Sequence, residues 1–236
     1  MLPISLTEVQ TFTALRSFLQ AVLPGTTEVI RAQNNRVPEP HGTDFVIMTP
    51  LLKERLETNI DNYIDTVFTG SIALTILTVT AIGFGSLVNG YTLLGTNILP
   101  NTTIVSQLSG TPGGIGAYII FQSQSLNSQK IAAGVMTVLQ PTKYTVQLDI
   151  HGIFSADNTQ VISTLFRDDA GVQLFQLSGY DVTPLYCDNA RQIPFSNGEQ
   201  QLENRWTMDA VMQCNPIITV PMYFADQLTA SFNEII

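Results

Sequence analysis

Charged side chains are absent from Thr66 to Gln129, whereas both flanks carry them as ordinary globular sequence does. Cysteine and histidine are nearly as scarce, with two of each in 236 residues. Cys187 and Cys214 cannot define a disulfide framework or a zinc site, and are expected to be free thiols. His41 and His151 stand in no metal-ligand spacing, and no nucleophile accompanies either of them. No apolar run approaches ~20 residues, which excludes a membrane-spanning helix. The most apolar run, Ile72 to Phe84, is interrupted by Thr75, Thr78 and Thr80 at strand-like spacing. The opening MLPISLTEVQ lacks the basic start and apolar core of a signal peptide. No Gly-Lys-Ser/Thr occurs, so there is no P-loop. Gly114–Ile119 begins like a dinucleotide fingerprint but lacks its third glycine, and a β-turn suits Pro112 and its neighbouring glycines better. Asp168, Asp169 and Asp188 do not follow the spacing of a calcium loop. No cofactor, metal or catalytic constellation is expected.

Ten basic against nineteen acidic residues give a net charge of −9. An acidic surface repels phosphates, which disfavours groove binding of nucleic acid but allows a wall past which DNA slides. Mean hydropathy is +0.20 with only 12% charged residues. Two readings fit: a β-rich protein made soluble by Ser, Thr and Asn, or a subunit that buries much of its surface in an assembly.

The abrupt change of composition predicts a host domain, residues 1–68 and 135–236, interrupted by a small all-β module at 69–134. In the host, Ser5 and Glu8 fit a capping box ahead of a helix whose apolar face is Val9, Phe12, Leu15, Leu19 and Val22. Glu28–Ala32 and Phe45–Met48 read as strands, separated by a loop that Pro38 and Pro40 keep extended. Alternation from Leu56 to Ile64 suggests one long half-exposed strand, although a helix also fits. Tyr144, Val146, Leu148 and Ile150 alternate with polar residues in a further half-buried strand. Asp157 or Asn158 is placed to cap a second helix carrying Val161, Ile162, Leu165 and Phe166, with a short turn beyond it to Leu177. Trp206, Met208, Ala210, Met212 and Cys214 share one face of a long strand, the two methionines belonging to the core. A last strand is expected through Leu228, Ala230 and Phe232. The host is thus α+β, a mostly antiparallel sheet with two main helices on one face. In the module, Ile72–Thr80, Thr102–Gln107 and Ala117–Gln122 read as short strands joined by glycine-rich turns. Arg167, Arg191 and Arg205 fall in the most polar segments of the host's second half. Solvated ion pairs and subunit contacts both account for them.

The segments QNNRVPEPHGTDFVIMTPLLKERLETNIDNY, TVQLDIHGIFSADNTQVISTLFRDD and PLYCDNARQIPFSNGEQQLENRWTMDAVMQCNPIITVPMYFADQL carry a specific resemblance to the phage neck or tail terminator family. The module resembles Gly/Thr-rich β modules of other phage tail-associated proteins, through LTVT (Leu77–Thr80), Leu87, Gly90 and the SGT-x-G-x-x-G-x-Y pattern ending at Tyr118. The resemblance implies a structural virion subunit, not an enzyme, made in the bacterial host's cytoplasm. Such a subunit assembles into a ring, a hexamer, that ends the tail tube and joins it to the head connector. Implied partners are further copies of itself, the tail tube protein, the head-proximal connector or neck protein and, as a further candidate, the tail sheath. DNA would pass through the lumen without sequence-specific binding, and no membrane is involved. Among the family's signature positions the resemblance places Arg36, Pro38, Arg167, Asp168, Arg191, Gly198, Glu199, Arg205 and Trp206, as candidate contacts with neighbouring subunits or partners. The alternative is a tail-associated adhesive protein whose β module contacts host-surface glycans through Tyr91, Tyr118 and Phe121. The plainer reading of the same rings is that they fill the module's own core.

Overall fold

The computed structural model describes residues 2–32, 44–196 and 202–221. Through these the chain forms α1 (Glu8–Val22), β1 (Glu28–Arg31), β2 (Phe45–Arg55), β3 (Ile60–Phe84), β4 (Thr92–Leu94), β5 (Ile104–Gly110) and β6 (Gly116–Leu139). It continues with β7 (Thr142–His151), α2 (Ser155–Phe166), α3 (Asp169–Leu177), β8 (Val182–Cys187), β9 (Arg191–Gln192), β10 (Phe195–Ser196), β11 (Leu202–Glu203), β12 (Arg205–Cys214) and β13 (Ile217–Pro221). Two compact units result. One comprises Ile4–Ile60 and Leu139–Ile217, and the other is built around Asp61–Val138 with the described residues 218–221.

The first unit is β-rich and α+β. Its sheet runs β1-β2-β7-β12-β8, with β9 also paired to β12. The β1–β2 pair is parallel and the other pairs are antiparallel. Strand alternation turns Tyr144, Val146, Leu148 and Ile150 of β7 to the same side as Met208, Ala210, Met212 and Cys214 of β12, and all eight are buried in one core with the helices. Each helix contributes one ring to the centre of that core. Phe18 lies 5.4 Å from Phe166 and 5.3 Å from Phe175, while Phe166 and Phe175 meet edge to face at 5.7 Å. Such pairs add about 0.5–1.5 kcal/mol each beyond the area they bury.

Several local expectations are corrected. The cap of α1 is Thr7, which forms a reciprocal capping box with Gln10. Ser5 is unavailable because it is bonded to Ile217 twice, through its backbone N–H and through its hydroxyl oxygen, both at 2.9 Å. The buried face of α1 uses Phe18 and leaves Val9 exposed. Helix α2 begins at Ser155 behind Phe154, with no side-chain cap, and Asn158 lies buried inside it. A third helix, α3, replaces the expected short turn, because Asp168 accepts a hydrogen bond from Ala170 N at 3.1 Å and starts a new helix. Gly171 makes this corner possible, since a Cβ there would stand 2.2 Å from the Leu165 carbonyl oxygen. The strand expected over Leu56–Ile64 is broken, as β2 ends at Arg55 and β3 starts at Ile60. The expected loop around Pro38 and the last strand near Leu228 lie outside the described residues.

In the second unit the sheet order is β13-β6-β3, with β4 and β5 also paired to β6. Its core contains Phe68, Ile72, Leu77, Val79, Leu93, Ile104, Tyr118 and Ile120. Its strands are longer than the composition suggests, and β3 doubles back on itself. Thr80 donates its hydroxyl to Thr69 O at 3.1 Å, and Thr66 donates to Phe84 O. Gly70 and Gly83 allow the two arms to approach, since a Cβ at either would crowd the Thr78 or Val67 carbonyl. Leu74, with φ of 56°, lies near the apex.

Candidate functional site

The sheet of the first unit has a second face, opposite its core, on which polar residues align in register. Across β2, β7, β12 and β9, one row reads Ile47, Asp149, Thr207 and Arg191. The next reads Phe45, His151 and Arg205. Arg205 donates through Nε and Nη2 to one Asp149 oxygen at 3.0 and 2.6 Å. Gln147 Nε2 donates to the same oxygen and to Thr207 Oγ1, both at 3.0 Å. Only 10% of the Asp149 side chain and 23% of the Arg205 side chain are accessible. His151 stacks on Phe45 with centroids 4.4 Å apart and planes 11° from parallel. A charged pair this enclosed, braced by an amide and a hydroxyl, fixes orientation on the face more than it adds stability.

Asp209, on the same face, has its pKa raised, first by burial and then by Asp188 and Asp149, with Arg191 opposing the rise. Asp188 N donates to Asp209 O at 2.9 Å, so backbone pairing holds the two aspartates together. Two arginines therefore stand among three aspartates here. Among the described residues, no three His, Cys, Asp or Glu side chains gather as metal ligands would.

Of the residues the sequence singles out, Arg191 and Arg205 are brought onto this one face. Arg191 is exposed, and Arg205 is committed to Asp149. Trp206, half-buried, belongs by alternation to the helix-bearing side with Met208. Arg167 and Asp168 lie exposed at the junction of α2 and α3, where Asp168 caps α3. Arg36, Pro38, Gly198 and Glu199 lie outside the described residues. Of the three rings considered for a glycan platform, Tyr91 and Tyr118 are buried in the second unit's core, and Phe121 alone is displayed, at 71% exposure. Sequence reasoning missed Asp149 and Gln147. Their only signal was the polar phase of the alternation in β7.

A concavity in this unit, about 280 Å³, is lined by Leu6, Thr11, Tyr144, Cys214 and the ends of β2 and β12. The Tyr144 hydroxyl is buried without a hydrogen-bond partner. Burial pushes its pKa up to about 12. Burial likewise raises the Cys214 thiol to about 11 and the Cys187 thiol to about 12. Neither thiol is activated as a nucleophile, because activation requires the opposite shift.

No helix among the described residues is long and apolar enough to cross a membrane. No curated protein matches the chain. A family model described as "Phage neck terminator protein" matches residues 91–235, beginning inside the charge-free stretch and running through both sheets. By this match over more than half its length, the chain belongs to the phage neck terminator protein family, a structural family of the phage neck.

Proposed function

We propose that the protein forms a ring at the neck of the virion, a hexamer, that terminates the tail tube and joins the tail to the head connector. The family match carries this reading. The low density of charge supports it, since a subunit that buries much of its surface needs fewer solvated side chains. The mechanism is geometric. One ring face meets the last ring of tube protein and stops its growth, and the other face meets the connector, with the sheath as a further partner. Net acidity keeps the lumen from holding DNA by its phosphates, so the genome passes without sequence-specific binding.

In this reading residues 69–134 are an accessory β module set into an assembly domain formed by 1–68 and 135–236. Arg36, Pro38, Arg167, Asp168, Arg191, Gly198, Glu199, Arg205 and Trp206 supply contacts between subunits or with partners. The exposed Arg191 and Arg167 fit this role most directly, because a guanidinium at an interface can bind a carboxylate in two-pronged fashion. An adhesive role for the module has less support, with two of its three candidate rings enclosed.

The test is negative-stain electron microscopy of the purified protein, alone and mixed with the tail tube protein. Annular particles that cap tube ends are the expected result. A species that stays monomeric and binds neither tube nor connector would refute the proposal.

A further inference from the structure

A sheet that ends on unpaired backbone groups invites a further strand. Among the described residues the first unit's sheet has two such ends, β1 and β8. The β8 end is spoiled by its own sequence. Pro184 has no N–H to offer, and the register with β12 slips beside it, between Val211 and Met212, leaving Leu185 without a partner across the ladder.

Strand β1 has neither device. Its four residues pair with β2 in unbroken parallel register, from Glu28 opposite Phe45 to Arg31 opposite Met48. Glu28 N donates to Asp44 O at 3.3 Å and Ala32 N to Met48 O at 2.9 Å, so these alternate residues address β2. Val29 and Arg31 therefore turn their backbone groups to the open side.

The outward carbonyl is already taken. Arg16, exposed on α1, donates to Val29 O through Nε at 3.0 Å and through Nη2 as well. Among the described residues it forms no ion pair, although the chain holds nineteen acidic residues. Nor is this contact what fastens α1 to β1. Glu8 pairs with Arg31, whose guanidinium lies 4.3 Å from the centre of the Phe12 ring, and Phe12, Leu15 and Leu19 share one buried core with Val29.

We propose that Arg16 is an edge plug, which bars β1 from adding the β1 strand of a second copy. The two edges are identical, and an antiparallel approach would set Val29 of each opposite Arg31 of the other, joining two sheets into one. With Arg16 in place, the incoming strand must displace a charge-assisted hydrogen bond and bring a second, identical guanidinium beside the first. The plug belongs to the single subunit and does not depend on the ring reading. It closes one route of self-association and leaves the faces of the unit to make the others.

Arg16→Met keeps the aliphatic stem and Arg16→Ala removes it, and both residues sustain a helix as well as arginine does. Sedimentation velocity at matched concentration should show both variants shifted to a larger species than the wild type, with circular dichroism unchanged. Hydrogen exchange read by mass spectrometry should slow in the peptide spanning Glu28–Arg31 when the variants assemble. Variants that sediment as the wild type does overturn the plug, as does a larger species whose β1 amides exchange at the wild-type rate. A larger species that forms only with loss of helical signal also overturns it, because growth then follows from unfolding. None of these results touches the capping of tubes by the wild type, which tests the ring reading separately.

Discussion

The guanidinium of Arg205, in register with His151, bonds diagonally to Asp149, placing both Nε and Nη2 on a single carboxylate oxygen. His151 stacks on Phe45, and the diagonal ties adjacent rows of the sheet face together. Removing either charge breaks a charge-assisted contact where little water reaches the carboxylate to replace it. Asp149→Asn or Arg205→Ala should therefore cost about 3 kcal/mol, the low end for a buried pair because Arg205 keeps some solvent contact. An apolar double variant, Asp149→Leu with Arg205→Met, should recover much of that loss. Urea denaturation of the wild type, Asp149→Leu, Arg205→Met and their double variant measures the coupling, and additive single losses would show that the pair does not act as a unit.

Asp209 should respond in the opposite sense. Its raised folded-state pKa means that ionisation opposes folding, so its contribution is fully present below the unfolded pKa and lost as pH rises through the folded one. Asp209→Asn should stabilise the fold slightly at neutral pH, read as a small rise in the thermal midpoint. The gain should shrink as pH falls through the carboxylate range. Melting curves at several pH values check this, and a gain that grows in acid contradicts it.

At alkaline pH three groups act together. The thiols of Cys187 and Cys214 and the phenol of Tyr144 are all raised by burial, the first to about 12, the second to about 11 and the third to about 12. The unfolded chain releases these protons at lower pH than the folded one, so stability should fall as pH rises above about 9, the ordinary thiol value. Native protein at pH 8 should resist iodoacetamide, and both thiols should react once urea unfolds it. Rapid alkylation of the native protein would place a thiol outside the core.

Gly171→Ala probes the corner between α2 and α3. Its Cβ would meet the backbone oxygen of Leu165, which cannot swing aside as a side chain can. A loss of about 1–3 kcal/mol is expected, in contrast to the gain alanine normally brings inside a helix. Equilibrium unfolding decides between the two signs.

What the sequence disclosed depended on how far apart the deciding atoms lie. Tyr144–Ile150 and Trp206–Cys214 announce themselves, because alternation is local and one buried face is enough to show it. The cap of α1 was misplaced by two residues because the competitor for Ser5 is Ile217, on the far side of the chain. Helix α3 escaped notice because its corner depends on a glycine fitting against a carbonyl, a fit with no periodicity. The doubling-back of β3 is likewise silent, since its apex at Ala73-Leu74-Thr75 carries no glycine, proline or asparagine. Asp149 reads as one more polar residue until register places Arg205 beside it. The long segments resembling the neck terminator family led to the family directly, whereas the pairing of Arg205 with Asp149 required the paired strands.

The order of strands in the first unit has a bearing on time. Helix α1 and strand β2 leave the ribosome early, but the strands that complete their sheet, β7 and β12, come from the second half of the chain. The whole of the second unit's central stretch, Asp61–Val138, is made in between. Until Cys214 has emerged, the apolar side of β2 has no finished sheet to join, and Ser5 waits longer still for Ile217. At about 5–20 residues per second, that interval leaves a sticky, half-built face uncovered for roughly ten seconds or more. Chaperone demand during synthesis should therefore concentrate on the first sixty residues, long before any neck is assembled.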